Sequence, residues 1–536
     1  MADIHPEIER GARLIPAERG LSFEPLSPVR FLERSATVFA DRTAIVDGSR
    51  RISYRDFFDR ARRLASALRA SSGNAPVAVL ALNDSLMLEM HHAAPMAGVP
   101  LVPLNYRLSA AELAWIIGHS GSGALYCSGS LEPLAAEAID LAGVAVELIA
   151  DWPTGSYEQM IADVGAQDLS VDDELSLLSI NYTSGTTGTP KGVQYHHRGA
   201  FLQSLAMVDH ASLGAGSVFL WTLPMFHCHG WCFTWAVTAA GATHVCLPKV
   251  EPPEVWRLIS AEGVTHLNGA PTVITSIAYD SHAERVDSDH PLKIATGGAP
   301  PTPALLERLE ELGADVIHLY GMTETYGPSV VCDWHPEWDS FDVTERARLK
   351  ARQGVGNVVS CTLRVLDSEG RDIAADGSTL GEIAIRGDNV MVGYFRDPDA
   401  TRAAAPDGWL RTGDLGVMHP DGYVEIRDRS KDCIISGGEN ISSVEVEQVL
   451  ASHPDVLEVA VVAMADDKFG EVPAAFVTLH EGAVTTDDQL IAFVRDRIAH
   501  FKAPKKVFFG ALPKTATGKI QKFRLREQLD EGRTTG

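Results

Sequence analysis

The sequence alternates short apolar runs with helical patterns from residue 30 to about 400, and this alternation constrains the fold more than any other feature. The runs at 77–82 and 175–182 predict buried strands, and the pattern at 61–69 predicts a helix. Such alternation is typical of an α/β fold, in which mostly parallel sheets are flanked by helices. Because 536 residues exceed what one hydrophobic core usually serves, we expect at least two domains.

The pattern changes after about residue 428, where a shorter series of elements begins. Ser442 and Glu445 have the spacing of a capping box, which marks the start of a helix. We therefore expect a small α+β domain at 431–536 after a large N-terminal domain at 1–430. Its predicted elements are a helix at 444–450, a strand at 456–464 and a helix at 487–498.

Acidic residues outnumber basic ones by 71 to 46, which gives a net charge of -25. A chain this acidic repels nucleic acid and anionic membrane surfaces, so neither is an expected partner. We see no secretory signal, no apolar run long enough to span a bilayer, and no lipidation or peroxisomal signal. Seven cysteines without a Cys-x-x-Cys pair indicate reduced thiols, so we expect a cytoplasmic protein.

The charge reverses near the C-terminus, where residues 500–526 contain eight basic residues and no acidic one. One interpretation is a solvated face of the small domain. The other is a surface that holds a phosphate-rich small molecule, since the rest of the chain is so acidic.

The predicted strand at 175–182 runs into the sequence YTSGTTGTPKG at 182–192. Its glycines let backbone N–H groups turn inward, its Thr and Ser hydroxyls can donate hydrogen bonds, and Lys191 adds a positive charge. Such a loop suits a polyphosphate better than it suits an ordinary surface turn. The Walker pattern of P-loop NTPases is absent, so that class is a poor fit.

The sequence FHCHGWCFTW at 226–235 contains two histidines and two cysteines, the residue types that bind zinc. A structural zinc needs four converging ligands, and no Cys-x-x-Cys or His-x-x-x-His partner lies nearby in the sequence. If the segment is a right-handed helix, His227, Trp231 and Trp235 share one face. We therefore favour a pocket wall over a metal site, with core packing of the tryptophans as the alternative.

Six further motifs follow the phosphate loop in order. Together they resemble the signature of the adenylate-forming superfamily, which includes acyl-CoA synthetases, peptide-synthetase adenylation domains and firefly luciferase. The resemblance runs from about residue 30 to residue 526. The motifs are TGGAP at 296–300, YGMTE at 320–324, WLRTGD at 409–414, RDRSKD at 427–432, SGGEN at 436–440 and PKTATGK at 513–519.

The resemblance implies a ligase that works in two steps. A carboxylate attacks the α-phosphate of ATP to give an acyl-adenylate and pyrophosphate, and the thiol of CoA then displaces AMP. Because a carboxylate is a weak nucleophile at phosphorus, the site must neutralise charge and align the attack, with Mg²⁺ as the expected metal. The residues implied to bind ATP or AMP are Thr183, Ser184, Gly185, Thr186, Thr187, Gly188, Lys191, Gly298, Ala299, Pro300, Tyr320, Gly321, Met322, Thr323, Glu324, Asp414, Arg429 and Lys519.

The resemblance also gives some of these residues particular tasks. Glu324 would hold Mg²⁺ together with a threonine of the loop, and Thr183 is favoured over Thr186. A hard cation that bridges phosphate oxygens prefers oxygen ligands of this kind. Tyr320 would stack on adenine, and Asp414 would accept hydrogen bonds from both ribose hydroxyls.

Lys519 would be the catalytic lysine, with Glu324 and Thr183 as the other catalytic residues. In the superfamily the small domain is mobile and rotates at a hinge residue, which matches Lys431. One orientation brings Lys519 to the α-phosphate, and the other presents a loop to the CoA thiol. The residues of that CoA-side loop are Ser436, Gly437, Gly438 and Glu439.

In the superfamily the segment after the phosphate loop forms a wall of the acyl pocket. A buried indole shortens such a pocket, since a tryptophan fills roughly 150–250 Å² of contact area. The segment at 226–235 is also similar to that of methylmercaptopropionate–CoA ligases, so we expect a short- or medium-chain acid, methylthio-substituted acids included, or a small aryl acid. The expected lining residues are His227, Trp231, Trp235, Gly269, Thr272 and Gly297.

Two alternatives stay open from the sequence. The acyl acceptor could be a carrier protein or an amine, although no carrier-like segment follows the catalytic lysine. The chain could also bind a nucleotide or zinc without turnover, although the full set of motifs argues against that. The resemblance further implies a homodimer.

Overall fold

The computed structural model describes residues 24–73, 75–167, 169–183, 190–286, 291–360, 362–429, 432–437, 439–466, 468–515, 519–530 and 532. The strands, in chain order, are β1 (Thr43–Asp47), β2 (Arg50–Ser53), β3 (Val77–Leu80), β4 (Leu101–Pro103), β5 (Ala124–Ser128), β6 (Glu147–Trp152), β7 (Leu177–Thr183), β8 (Lys191–His196), β9 (Val218–Leu220), β10 (Thr243–Val245), β11 (His266–Gly269), β12 (Leu292–Gly297), β13 (Ala314–Met322), β14 (Gly327–Val331), β15 (Val355–Gly356), β16 (Thr362–Leu366), β17 (Gly381–Arg386), β18 (Gly393–Tyr394), β19 (Leu410–Met418), β20 (Val424–Arg429), β21 (Ile434–Ser436), β22 (Glu439–Ile441), β23 (Val456–Asp466), β24 (Gly470–Leu479) and β25 (Lys506–Phe509). The right-handed helices are Val29–Val38, Tyr54–Ser72, Ser85–Ala97, Ala110–Ser120, Glu132–Ala142, Gly155–Asp163, His197–His210, Phe233–Ala240, Pro252–Glu262, Pro271–Ala278, Pro303–Glu311, Val343–Lys350, Pro398–Ala404, Ser443–Ala451, Asp487–Arg495 and Lys522–Asp530.

Two mixed sheets, mostly parallel, make up most of the large domain. One has the strand order β18-β8-β7-β4-β3-β5-β6, and it is parallel except for β8 and β18 at one edge. The other has the order β15-β14-β13-β12-β11-β9-β10-β1-β2, and it is parallel from β13 to β1. Buried apolar residues from both sheets and their helices share one core. The predicted α/β class is confirmed.

The predicted elements correspond to observed ones with small shifts at their ends. The strand at 77–82 is β3, the strand at 175–182 is β7, and the helix at 61–69 is part of Tyr54–Ser72. Parallel strands buried on both faces favour the continuous apolar runs that made them recognisable. Over the described ranges, no helix is long and apolar enough to cross a membrane.

A separate antiparallel sheet, in the order β16-β17-β19-β20, ends at Arg429. The last sheet begins with β21 and adds β25 parallel to β24, with its own apolar core. The predicted helix at 444–450 is Ser443–Ala451, the strand at 456–464 is β23, and the helix at 487–498 is Asp487–Arg495. A smaller C-terminal domain is therefore confirmed, while its boundary at 430–431 stays a prediction.

The capping box expected at the start of Ser443–Ala451 is formed only in half. The Ser442 hydroxyl accepts a hydrogen bond from the Glu445 N–H at 3.1 Å. The Glu445 carboxylate, however, pairs with the Lys502 ammonium at 2.7 Å. An ammonium competes well with a neutral backbone N–H for a carboxylate, because it adds the attraction between opposite charges to its hydrogen bond.

Candidate active site

The phosphate loop connects two antiparallel neighbours, β7 and β8. Thr183 lies opposite Lys191 in this pairing, and its hydroxyl points to the Lys191 carbonyl oxygen at 3.5 Å. The Lys191 ammonium lies over the ring of Tyr394, 4.7 Å from its centroid. The loop residues that were expected to hold phosphates fall outside the described residues: Ser184, Gly185, Thr186, Thr187 and Gly188.

The carboxyl ends of β11, β12 and β13 meet at one edge of their parallel sheet. Gly269 pairs with Thr296, and Gly297 pairs with Leu319, so the strand ends are in register. Gly298 has a left-handed φ of 86°, which turns the chain outward after β12 at low cost because glycine has no Cβ. The turn leaves Ala299 exposed and Pro300 partly exposed.

The segment after Tyr320 is held tightly in place. Gly321 approaches Gly327 so closely that a Cβ on it would lie 1.9 Å from the Gly327 carbonyl oxygen. The Met322 N–H donates to the Thr325 hydroxyl at 3.0 Å. The Tyr195 hydroxyl, on β8, donates to the backbone oxygen of Thr323 at 2.6 Å. The backbone before Glu324 is thus fixed from the phosphate-loop side.

Asp414 is the centre of a buried polar cluster. The Tyr320 hydroxyl donates to Asp414 Oδ2 at 2.6 Å, and Arg429 Nε lies 3.0 Å from Asp414 Oδ1. Burial and the Asp414 charge raise the pKa of Tyr320 well above its usual value, so its hydroxyl stays a donor. Each carboxylate oxygen keeps a further lone pair, which suits it to accept from a ribose hydroxyl.

Glu324 is the second buried carboxylate of the site. Its Oε1 accepts a hydrogen bond from the Tyr394 hydroxyl at 2.7 Å. Burial raises the pKa of Glu324, while the Tyr394 hydrogen bond and the charge of Lys191 lower it. Carboxylate and hydroxyl oxygens, here from Glu324 and Thr183, are the hard ligands that Mg²⁺ prefers, so the residues present fit this metal.

The segment at 227–232 departs from the prediction. The backbones of Cys228, His229, Trp231 and Cys232 have φ angles between 48° and 63°, and Gly230 has a φ of 57°. These residues form a left-handed turn, and the right-handed helix begins at Phe233. The expectation that a right-handed helix places His227, Trp231 and Trp235 on one face is therefore wrong.

Buried contacts hold the left-handed turn. His229 Nε2 lies 2.6 Å from the Ser179 hydroxyl, and the Asn181 side-chain amide donates to it at 2.8 Å. Burial lowers the pKa of His229 well below its usual value, which keeps the ring neutral. Gly230 packs so closely on Trp221 that a Cβ would lie 2.4 Å from the indole ring. These contacts offset a backbone that costs about 1–2 kcal/mol per non-glycine residue.

The two tryptophans of the segment at 226–235 lie in different surroundings. Cβ atoms built on Gly297 and Gly327 would lie 3.4 Å and 3.3 Å from the nearest Trp231 side-chain atoms, so Trp231 packs at the ends of β12 and β14. Trp235 has no exposed surface, and its Nε1 donates to the His91 carbonyl oxygen at 3.0 Å. Trp235 therefore belongs to the core and not to a pocket wall, because no part of its side chain is accessible to a substrate.

The two cysteine thiols of this segment contact different residues outside it. The Cys228 thiol lies 3.6 Å from the Thr323 hydroxyl, and the Cys232 thiol lies 3.5 Å from the Tyr326 carbonyl oxygen. His229 is committed to β7. Within the part of the chain that the structure describes, no group of three or more His, Cys, Asp or Glu side chains is placed to hold a metal ion.

The small domain brings Lys519 to this part of the site. Burial, and after it the charge of Lys519, lowers the pKa of His227 to about 4. The charge of Lys519 is thus within electrostatic range of the His227 ring. The Lys519 N–H donates to the Thr515 hydroxyl at 3.0 Å. The expected hinge residue Lys431 and Gly438 of the CoA-side loop fall outside the described residues.

Other predicted residues lie near these groups. Gly269 ends β11, where a Cβ would lie 2.9 Å from Ile274 Cδ1, and Thr272 is a partly exposed residue of the helix Pro271–Ala278. Ser436 is buried at the end of β21, and Glu439 is exposed at the start of β22.

Two contact residues were missed by sequence reasoning. Tyr394 lies outside the motifs considered, and its partners are about 70 and 200 residues away, so no local signal indicates it. Phe469 packs on the CoA-side loop, where the Gly437 N–H donates to its carbonyl oxygen at 2.8 Å. The ammonium groups of Lys468 and Lys505 lie 4.9 Å and 5.7 Å from its ring centroid. The signal in the sequence was the adjacent pair Lys468 and Phe469.

Two protein families match the sequence, each over its own range of residues. Residues 32–395 match the family described as AMP-binding enzyme, and residues 445–519 match the AMP-binding enzyme C-terminal domain. This chain therefore belongs to the family of AMP-binding enzymes.

Three similar proteins are named as CoA ligases. The 4-hydroxybutyrate–CoA ligase 2 of Metallosphaera sedula is 42% identical over 526 residues, which cover 95% of this chain and 95% of that protein. The peroxisomal butyrate–CoA ligase of Arabidopsis thaliana is 41% identical over 531 residues, with coverage of 94% and 93%. The peroxisomal benzoate–CoA ligase of the same plant is also 41% identical, over 539 residues, with coverage of 94% and 93%.

Solved structures of similar enzymes share the fold of this chain. ATP-bound MatB from Rhodopseudomonas palustris superposes with a TM-score of 0.83 at 29% identity, covering 94% of this chain and 99% of that one. The o-succinylbenzoate CoA synthetase of Bacillus subtilis, in complex with its acyl-adenylate intermediate, has a TM-score of 0.80 at 29% identity, with coverage of 96% and 99%.

Proposed function

We propose that this enzyme ligates a short- or medium-chain carboxylic acid, or a small aryl acid, to CoA through an acyl-adenylate, with release of AMP and pyrophosphate. One observation carries the proposal: Tyr320, Asp414 and Arg429, from three separate motifs, form one buried polar cluster. The relatives support the reaction class, since they are named as CoA ligases of 4-hydroxybutyrate, butyrate and benzoate.

In the first step the residues of this chain would position the substrates and neutralise negative charge on them. Asp414 and Tyr320 would hold the nucleoside, and Lys191 would face the outer phosphates. Glu324 and Thr183 would hold Mg²⁺, which would supply positive charge to the phosphate oxygens. Lys519 would stabilise the negative charge that grows where the carboxylate joins the α-phosphate. A preorganised donor of this kind contributes about 10²–10³ in rate.

The acid would lie between the nucleotide cluster and Trp231. The indole lies at the strand ends that carry Gly297 and Gly327. There it would limit the depth available to an acyl chain. A neutral His227 beside it adds a polar edge without a charge, because its pKa is about 4. This arrangement supports a small acid and disfavours a long fatty chain.

The second step would use the other face of the small domain. Rotation near Lys431 would remove Lys519 and present the loop of Ser436 and Gly437 to the thiol of CoA. Phe469 packs on that loop and offers a ring to the adenine or the pantetheine arm, with two lysines beside it for phosphates. The basic run at 500–526 supplies one of those lysines.

The test is a panel of straight-chain acids from two to sixteen carbons, with aromatic acids, assayed for AMP and acyl-CoA by chromatography. We expect AMP and thioester in equal amounts, with the highest kcat/KM for a small acid. AMP formation that requires an amine or a carrier protein in place of CoA would support the alternative acceptor. ATP binding without AMP formation from any acid of the panel would refute a catalytic role.

We also propose a homodimer in the cytoplasm. The six cysteines among the described residues are free thiols, and five of them are buried, which supports a reducing compartment. Light scattering on the purified protein tests the dimer, and fractionation of cells tests the location.

A further inference from the structure

We propose that Tyr394 is a positioning residue that sets the Mg²⁺-binding carboxylate and the phosphate-binding lysine relative to each other. Its hydroxyl would hold Glu324 and its ring would hold Lys191. This inference rests on the proposed function for the roles of those two residues.

The two contacts use different parts of one side chain. The hydroxyl donates to Glu324 Oε1 at 2.7 Å, while the Lys191 ammonium lies over the ring face, 4.7 Å from its centroid. A ring face attracts a cation through its quadrupole, and the hydroxyl at the ring edge is free to donate in the ring plane. The tyrosine thus joins two oppositely charged groups at separate positions.

The backbone of Tyr394 is fixed on both sides. The Val392 N–H donates to the Gln194 carbonyl oxygen at 3.0 Å, and the Phe395 N–H donates to the Gly192 carbonyl oxygen at 2.7 Å. The Tyr394 N–H itself donates to the Thr401 hydroxyl at 2.9 Å. The residue is therefore pinned to β8, the strand that leaves the phosphate loop, so its side chain can act as a fixed reference.

The contact has a chemical consequence for the carboxylate. With Oε1 engaged by Tyr394, the other oxygen of Glu324 would be left to bind the cation. Partners of this kind orient metal-ligating carboxylates, and their loss costs about 10- to 100-fold in metal affinity. The ring contact acts on Lys191 without the metal, so the two effects can be separated.

Two substitutions separate the effect of the Tyr394 hydroxyl on Glu324 from the effect of its ring on Lys191. Tyr394→Phe keeps the ring and removes the hydroxyl, whereas Tyr394→Leu removes both. Tyr423→Phe is the matched control, since it removes a buried tyrosine hydroxyl whose partner is the Asp333 backbone oxygen. Binding of ATP is measured by calorimetry in Mg²⁺ and in EDTA, without acid, so that no turnover occurs. Far-UV circular dichroism melts verify that each variant is folded.

For Tyr394→Phe we expect unchanged ATP affinity in EDTA and a Mg²⁺ requirement raised about tenfold or more. For Tyr394→Leu we expect the same Mg²⁺ effect and, in EDTA, an ATP affinity lower by about two- to fivefold. The control should match wild type in both conditions. An equal loss with and without Mg²⁺ in Tyr394→Phe, or no change in its Mg²⁺ requirement, overturns the proposal. Wild-type protein that fails to make acyl-CoA refutes the proposed function instead, and these binding measurements are independent of that result.

Discussion

Gly230 offers the sharpest test of how the acyl-wall segment is held. Gly230→Ala adds a Cβ at a left-handed φ of 57°, 2.4 Å from the Trp221 ring. The backbone conformation costs an alanine about 1–2 kcal/mol. Overpacking against a buried indole adds about 1–3 kcal/mol. We therefore expect the free energy of unfolding to fall by roughly 2–5 kcal/mol.

Gly98→Ala isolates the two contributions. Gly98 also has a left-handed φ, 69°, but no described atom lies within 4 Å of a Cβ built there. Its alanine variant should lose only the backbone cost of about 1–2 kcal/mol. Urea unfolding followed by tryptophan fluorescence gives both values. In Gly230→Ala the displaced turn should also raise the KM for the acid more than the KM for ATP.

Equal losses in the two variants would refute the reasoning, because the contact with Trp221 would then contribute nothing. A Gly230→Ala protein with wild-type KM for the acid would separate the turn from the acyl site, and Trp231 would no longer be placed by it.

Three further predictions concern chemistry, selectivity and pH. Lys519→Ala should lower the rate of adenylate formation about 10²–10³-fold, yet convert a supplied acyl-adenylate and CoA to thioester at near wild-type rate. Lys514→Ala is the control. Equal losses in both steps would contradict the role of Lys519. Trp231→Ala should shift preference toward longer or bulkier acids by about 1–3 kcal/mol across the acid panel, and unchanged selectivity would place it in the core. Burial lowers the pKa of His91 to about 4 and of His92 to about 3, from an ordinary 6.5. Below pH 6.5 these two histidines are therefore protonated in the unfolded chain while they stay neutral in the folded one. The free energy of unfolding, measured in urea, should thus fall as pH drops from about 6.5 to 4, and a flat profile would contradict it.

The fold could be predicted from sequence because its signals are local. A buried parallel strand such as β3 or β7 is written as a continuous apolar run, and the start of Ser443–Ala451 is marked by Ser442. The order of the motifs also indicated which segments meet, since the carboxyl ends of neighbouring parallel strands such as β12 and β13 lie at one edge.

The left-handed turn could not be predicted in the same way. Residues with a Cβ default to right-handed backbone, so the sequence at 228–232 indicates an ordinary helix. Buried partners distant in sequence hold the backbone in the left-handed conformation. These partners are β7 for His229 and the Trp221 ring for Gly230. Tyr394 escaped prediction for the same reason, since its role arises from the pairing of β18 with β8 and has no pattern of its own.

The late arrival of β18 also affects how the protein is made. β8 follows the phosphate loop directly, but its outer neighbour is synthesised about 200 residues later. At about 5–20 residues per second, a ribosome needs roughly 10–40 s for that stretch. During this interval β8 has an unpaired edge that can recruit strands from other nascent chains. Completion of the nucleotide site is therefore a late event of translation, and crowding of ribosomes on one messenger puts this strand at particular risk of aggregation.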